Sequence, residues 1–147
     1  QLNFELGKLE ETVCCLEKAK NMEPNNWRTL ERIGSLYLQM DKLELAQETF
    51  ERAVELNPEF AFAYHGLGKT LIEQSKFEEA AHALMRSIGI FYQQPDVHLR
   101  LGVALAGCGK LQQAEQALQN ALAIEPNFKQ AEETLTRVQQ AIAYKML

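Results

Sequence analysis

Three histidines, three cysteines and a few paired carboxylates are the residues from which chemistry could be built. The histidines are His65, His82 and His98, and none belongs to an HExxH pattern, which would set two zinc ligands and a base on one helix face. No nucleophile elbow occurs either. Gly66-Leu67-Gly68-Lys69 superficially resembles a phosphate loop, but its spacing is wrong and no strand-type run precedes it. The acidic pairs Glu10-Glu11, Glu78-Glu79 and Glu132-Glu133 are expected near helix starts, where carboxylates favour the helix dipole, and so read as structural. Cys14, Cys15 and Cys108 are odd in number and lack a CxxC spacing. They read as free thiols of a reducing compartment, which points to the cytoplasm, and not as a zinc site or disulfide framework. No catalytic, cofactor-binding or metal-binding set emerges. The expectation is a protein that is not an enzyme.

Composition narrows the partners. The chain has 147 residues, 46% hydrophobic and 24% charged, with a net charge of −5. That is a globular composition, and its acidity disfavours nucleic acid and anionic membrane surfaces. No apolar run approaches the ~20 residues of a membrane span.

The elements that would position any binding residue come from a period. Pro24 and Pro58 lie 34 residues apart, and Pro58 and Pro126 twice that. Gly34, Gly68 and Gly102 repeat at the same step, as do Ala46, Ala80 and Ala114 with Thr12 before them. Ile33, Leu67, Leu101 and Leu135 form another series, and Leu16, Phe50, Leu84 and Leu118 a fourth. Within one period the apolar residues step by three and four, which builds two amphipathic helices. Polar breaks at Met40-Asp41-Lys42, Gln74-Ser75-Lys76 and Gly107-Cys108-Gly109-Lys110 separate the paired helices, with a residue suited to the left-handed conformation in each. The glycines are expected opposite Ala46, Ala80 and Ala114, letting paired helices approach closely. No strand-type alternation appears, so the fold class is all-α. Pro95 stands out of register and is expected to open a helix. With Tyr92 in place of the register proline, the preceding helix is expected to run on through Phe91, leaving that junction the least regular.

On these residues the chain resembles the tetratricopeptide repeats, with units at 27–60, 61–94 and 95–128. The first supplies Leu30, Ile33, Gly34, Tyr37, Ala46, Phe50, Ala53 and Pro58 to the family pattern. The second departs from it at Ser87 and Tyr92, and the third places His98 where a bulky packing residue is usual. Residues 1–26 resemble a partial unit, the end of a first helix plus a second helix, and 129–147 a capping helix with its stripe at Ala131, Leu135, Val138 and Ile142. The resemblance implies a right-handed superhelix of helix-turn-helix units, binding a protein or peptide in its concave groove. Carried over, the groove positions are Arg28, Glu31 and Ser35, with Leu38 and Gln39, then Phe62, His65, Lys69, Ile72 and Glu73. The third unit adds Asp96, Leu99, Arg100 and Val103, with Ala106 and Gly107. Phe62, Ile72, Leu99 and Val103 would together present an apolar patch. The clamp that chaperone-tail binders of this family use falls on Glu31, Ser35, Gly66, Asp96 and Arg100. Only Arg100 fits it.

A weaker resemblance links Phe77–Ala81, Gly89–Tyr92, Pro95, His98 and Leu101–Leu105 to repeat tails of bacterial alkaline-phosphatase-superfamily phosphohydrolases. It implies the alternative role of a structural or oligomerising appendage of such an enzyme. The chain begins at Gln1, and the expectation is a fragment of a longer protein. Its N-terminal edge, at Leu2, Phe4, Leu6, Leu9 and Leu16, is expected to be sticky enough for homo-oligomer formation.

Overall fold

Asp41, Ser75 and Gly109 stand at one position of successive periods, and all three adopt positive φ, at 56°, 59° and 74°. Each ends a helix in the same way. After the first of them, Lys42 N–H donates to the Tyr37 carbonyl at 2.9 Å and Asp41 N–H to Leu38 at 3.1 Å, the double bond of a Schellman turn. The same pair of bonds recurs at Ser75-Lys76 and Gly109-Lys110. The computed structural model describes residues 2–146, with side chains from residue 7 onward. Those residues form eight helices and no strand: α1 (Leu2–Met22), α2 (Trp27–Gln39), α3 (Leu43–Leu56) and α4 (Ala61–Glu73), then α5 (Phe77–Ile90), α6 (Pro95–Gly107), α7 (Leu111–Ile124) and α8 (Lys129–Lys145). Among the described residues no helix is long and apolar enough to cross a membrane.

The helices pair as α2–α3, α4–α5 and α6–α7, and each pair packs on the next. Beyond neighbours in sequence, the backbone of α2 comes close to α4, α4 to α6 and α6 to α8, whereas the backbones of α3, α5 and α7 stay further from one another among the described residues. The first helices are therefore closer together than the second helices. An array built this way bends toward its first helices, which line the inner face. The result is an all-α solenoid.

The close approach of paired helices depends on the glycines, but not chiefly opposite the alanines. A Cβ on Gly68 would lie 2.5 Å from Leu84 Cγ, and one on Gly102 2.6 Å from Leu118 Cγ. The residue one turn after each alanine fills the space the glycine leaves. Ala46, Ala80 and Ala114 are nonetheless fully buried beside it, in a core that also takes Phe50, Leu84 and Leu118.

Two local expectations are corrected. Helix α1 runs unbroken through Gly7, so no separate tail of a first helix forms, and Glu10-Glu11 lie inside a helix instead of at its start. No packed neighbour stands against Gly7, where a Cβ would meet nothing within 4 Å. The side chains of Leu2, Phe4 and Leu6 lie outside the described residues. Helix α5, in turn, stops at Ile90 and does not continue through Phe91. Phe91 N–H closes the last turn on Ser87 O at 2.9 Å while Phe91 itself turns extended. The junction is still irregular: Gln94 N–H donates to Tyr92 O at 2.8 Å, where the other three junctions bond Asn26 to Glu23, Phe60 to Asn57 and Phe128 to Glu125. Pro95 opens α6 at its first turn.

Candidate functional site

The inner face carries a cleft of about 550 Å³. Helix α2 contributes Glu31, Ser35, Leu38 and Gln39, the turn after it Asp41, and the start of α3 Leu43. Helix α4 contributes Phe62, His65, Gly66, Lys69 and Glu73, and α6 reaches in with Arg100. The floor is Phe50 of α3, whose ring lies under Gly34 and Gly66. Helical spacing explains the set: Phe62, His65 and Lys69 step by three and four, as do Glu31, Ser35 and Leu38, so each series shares one face.

Nine of the sixteen predicted groove residues thus meet in one cavity: Glu31, Ser35, Leu38, Gln39, Phe62, His65, Lys69, Glu73 and Arg100. Phe62 is 52% exposed at its mouth. Asp96 stands beside the cleft, engaged by two of its lining residues. Its Oδ2 is 2.9 Å from His65 Nε2 and 3.1 Å from Arg100 Nε. The His65 contact is close but too bent for an aligned hydrogen bond, and Arg100 makes the directional one. Burial pushes the Asp96 carboxyl up, but His65 and Arg100 outweigh it and hold the pKa at about 2. This cluster ties α4 to α6 across the inner face.

The other predicted positions lie elsewhere. Arg28 is exposed and stacks over the Trp27 ring at 4.7 Å, outside the cleft. Ile72 and Val103 are half-buried against the core. Leu99 is corrected outright: at 2% exposure it is a core residue and offers no surface to a partner. The apolar patch of four is therefore reduced to Phe62 with the ring of Phe50 behind it. Sequence reasoning missed Phe50, Asp41 and Leu43 as lining residues. The signal was present in Gly66, whose equivalents one period away are Arg32 and Arg100.

Outside the cleft, His82 is exposed on α5 and His98 is buried, its Nε2–H donating to the Tyr92 carbonyl at 3.0 Å. Cys14 and Cys15 are exposed and Cys108 half-buried, all free. No cluster of ligands suited to a metal ion occurs among the described residues.

Three family models, each described as tetratricopeptide repeat, match residues 28–60, 49–82 and 71–138. Together they run without a gap from 28 to 138. The chain belongs to the tetratricopeptide repeat family. Solved repeat proteins superpose on it closely. A crystal structure of MamA is 24% identical with a TM-score of 0.88, over 93% of this chain and 80% of that one. YrrB, described as a tetratricopeptide repeat protein with an unusual peptide-binding site, is 20% identical with a TM-score of 0.81, over 99% and 73% of the two chains. The first repeat domain of Spaghetti (RPAP3), bound to the HSP90 peptide SRMEEVD, is 20% identical with a TM-score of 0.78, over 80% and 93%. These likenesses establish the tetratricopeptide fold. No curated protein matches the sequence.

Proposed function

We propose that this tetratricopeptide repeat chain is a non-catalytic interaction module that holds a segment of a partner protein in the cleft between α2, α4 and α6. The observation that carries the reading is the convergence of groove positions from all three units on one cavity of about 550 Å³. Half-exposed Phe62 over the Phe50 floor supplies the apolar anchor that such sites need. The peptide-bound RPAP3 domain and YrrB support a peptide as the ligand class. A carboxylate clamp for a chaperone tail is not the mode. Glu31 and Asp96 occupy clamp positions with the wrong sign, and Arg100, the one match, is already engaged by Asp96. Three free cysteines support a cytoplasmic setting. The alternative of an oligomerising enzyme appendage rests on the weaker sequence likeness alone and draws no support from the cleft.

A photocrosslinking residue placed at Phe62, and separately at exposed Met85 on α5, tests the groove in cells. Partner adducts are expected at Phe62 and not at Met85. Adducts formed only from Met85 would remove the groove assignment.

A further inference from the structure

The charges around the cleft are not equally available to a ligand. Arg100 is bonded to Asp96, and His65 leans on the same carboxylate. Among the described residues Lys69 is then the one cation in the lining without a partner, and it shares the cleft with three carboxylates, Glu31, Asp41 and Glu73. Among the described residues Glu31 accepts a hydrogen bond from the neutral Ser35 Oγ at 3.0 Å, while Asp41 and Glu73 are unpaired. The backbone adds to the same sign. Asp41 follows the C-terminus of α2, and Glu73 is the last residue of α4, so two negative helix ends meet two carboxylates at one end of the cleft. Apolar walls of Leu38, Leu43 and Phe50 lower the local dielectric and concentrate that field. At the other end stands Phe62, whose ring face suits an apolar side chain or a guanidinium.

We infer that the cleft selects a cationic segment: a Lys or Arg of the partner seats at the Asp41–Glu73 end while an apolar or aromatic residue packs on Phe62. The inference rests on the groove reading above and adds the chemistry of the ligand. Peptides like those in the RPAP3 complexes, rich in glutamate and ending in aspartate, would meet like charge here.

The test uses two short fluorescein-labelled peptides with identical apolar residues, one carrying Arg where the other carries Glu, titrated against the whole chain by anisotropy. The Arg peptide should bind at least about tenfold more tightly, with the gap closing as salt is raised. Glu73→Lys and Asp41→Asn should each weaken it by about three- to tenfold, and Glu79→Lys on α5, away from the cleft, should not. Asn is chosen at 41 because it tolerates the positive φ there. Phe62→Ala should weaken binding without touching the core. Equal or tighter binding of the Glu peptide, still sensitive to Phe62→Ala, would overturn the cationic preference and leave the groove standing. Binding insensitive to Phe62→Ala, or no binding of either peptide, would overturn the groove reading and this inference with it.

Discussion

A Cβ on Gly66 would collide with Cε1 and Cζ of the Phe50 ring, so the missing side chain of one residue is the space occupied by the other. The chain itself shows the exchange. Leu16 is followed sixteen residues later by Arg32 and Leu84 by Arg100, but Phe50 by Gly66. The larger ring and the smaller residue are one structural unit, and it forms the floor of the cleft.

Gly66→Ala should therefore destabilise the fold by about 1–3 kcal/mol through overpacking, although Gly to Ala inside a helix normally stabilises by about 0.5–1 kcal/mol. In a Phe50→Leu background the same change should become neutral or stabilising. Urea denaturation of the double-mutant cycle measures the coupling, and additivity within about 0.5 kcal/mol would count against the pair.

Ser75 adopts a φ of 59° where its equivalent Gly109 has 74°. A left-handed conformation costs a residue with a Cβ about 1 kcal/mol or more. Ser75→Gly should raise stability by about 1 kcal/mol and Gly109→Ala should lower it by a similar amount, both read from thermal unfolding.

Acid should weaken the fold in two windows. Burial lowers the pKa of His98 below its ordinary value, against the opposing bond to Tyr92 O. Below about pH 6.5 the unfolded chain takes up a proton that the folded ring resists, so stability falls as pH drops. His98→Gln should flatten that limb. Asp96, at about 2 in the folded state, contributes stability above its unfolded value of about 3.9 and loses it as pH falls toward 2. Asp96→Asn should flatten only this lower window. Melting temperatures followed from neutral pH to about 2 separate the two effects; a His98→Gln curve parallel to that of the unaltered chain would contradict the assignment.

Tyr37 OH donates to Glu17 Oε1 at 3.0 Å and ties α1 to α2, while Lys20 Nζ holds Oε2 of the same carboxylate at 2.8 Å. Burial pushes the Glu17 carboxyl up, but Lys20 and Tyr37 bring it net below its ordinary value. Tyr37→Phe should cost about 0.5–1.5 kcal/mol, felt locally. Hydrogen exchange should quicken in α1 and stay unchanged in α5 to α7. Uniform acceleration along the chain would show that α1 does not open as a separate unit.

How far the sequence could be read differs from residue to residue. The turns at Asp41, Ser75 and Gly109 were legible because residue type and period both mark them. The end of α5 was not, since a missing proline removes a stop signal but says nothing of the bond from Phe91 N–H to Ser87 O that ends the helix anyway. Ser87, a departure from the small apolar residue of that position, was readable as small but not as a donor. Its hydroxyl reaches the Ala61 carbonyl at 2.9 Å inside the core.

From the sequence alone follow the all-α class, the helix pairing and the face on which Glu31, Ser35, Phe62, His65 and Lys69 stand. Those depend on local spacing: a helix repeats every 3.6 residues whatever surrounds it. Tertiary structure decided what lies across from each face. It buried Leu99, let Phe50 of a second helix form the floor under Gly66, and joined His65 to Asp96 and Arg100 from the next unit. These are contacts between helices, set by how far one pair tilts onto the next, and no spacing within a single helix encodes them.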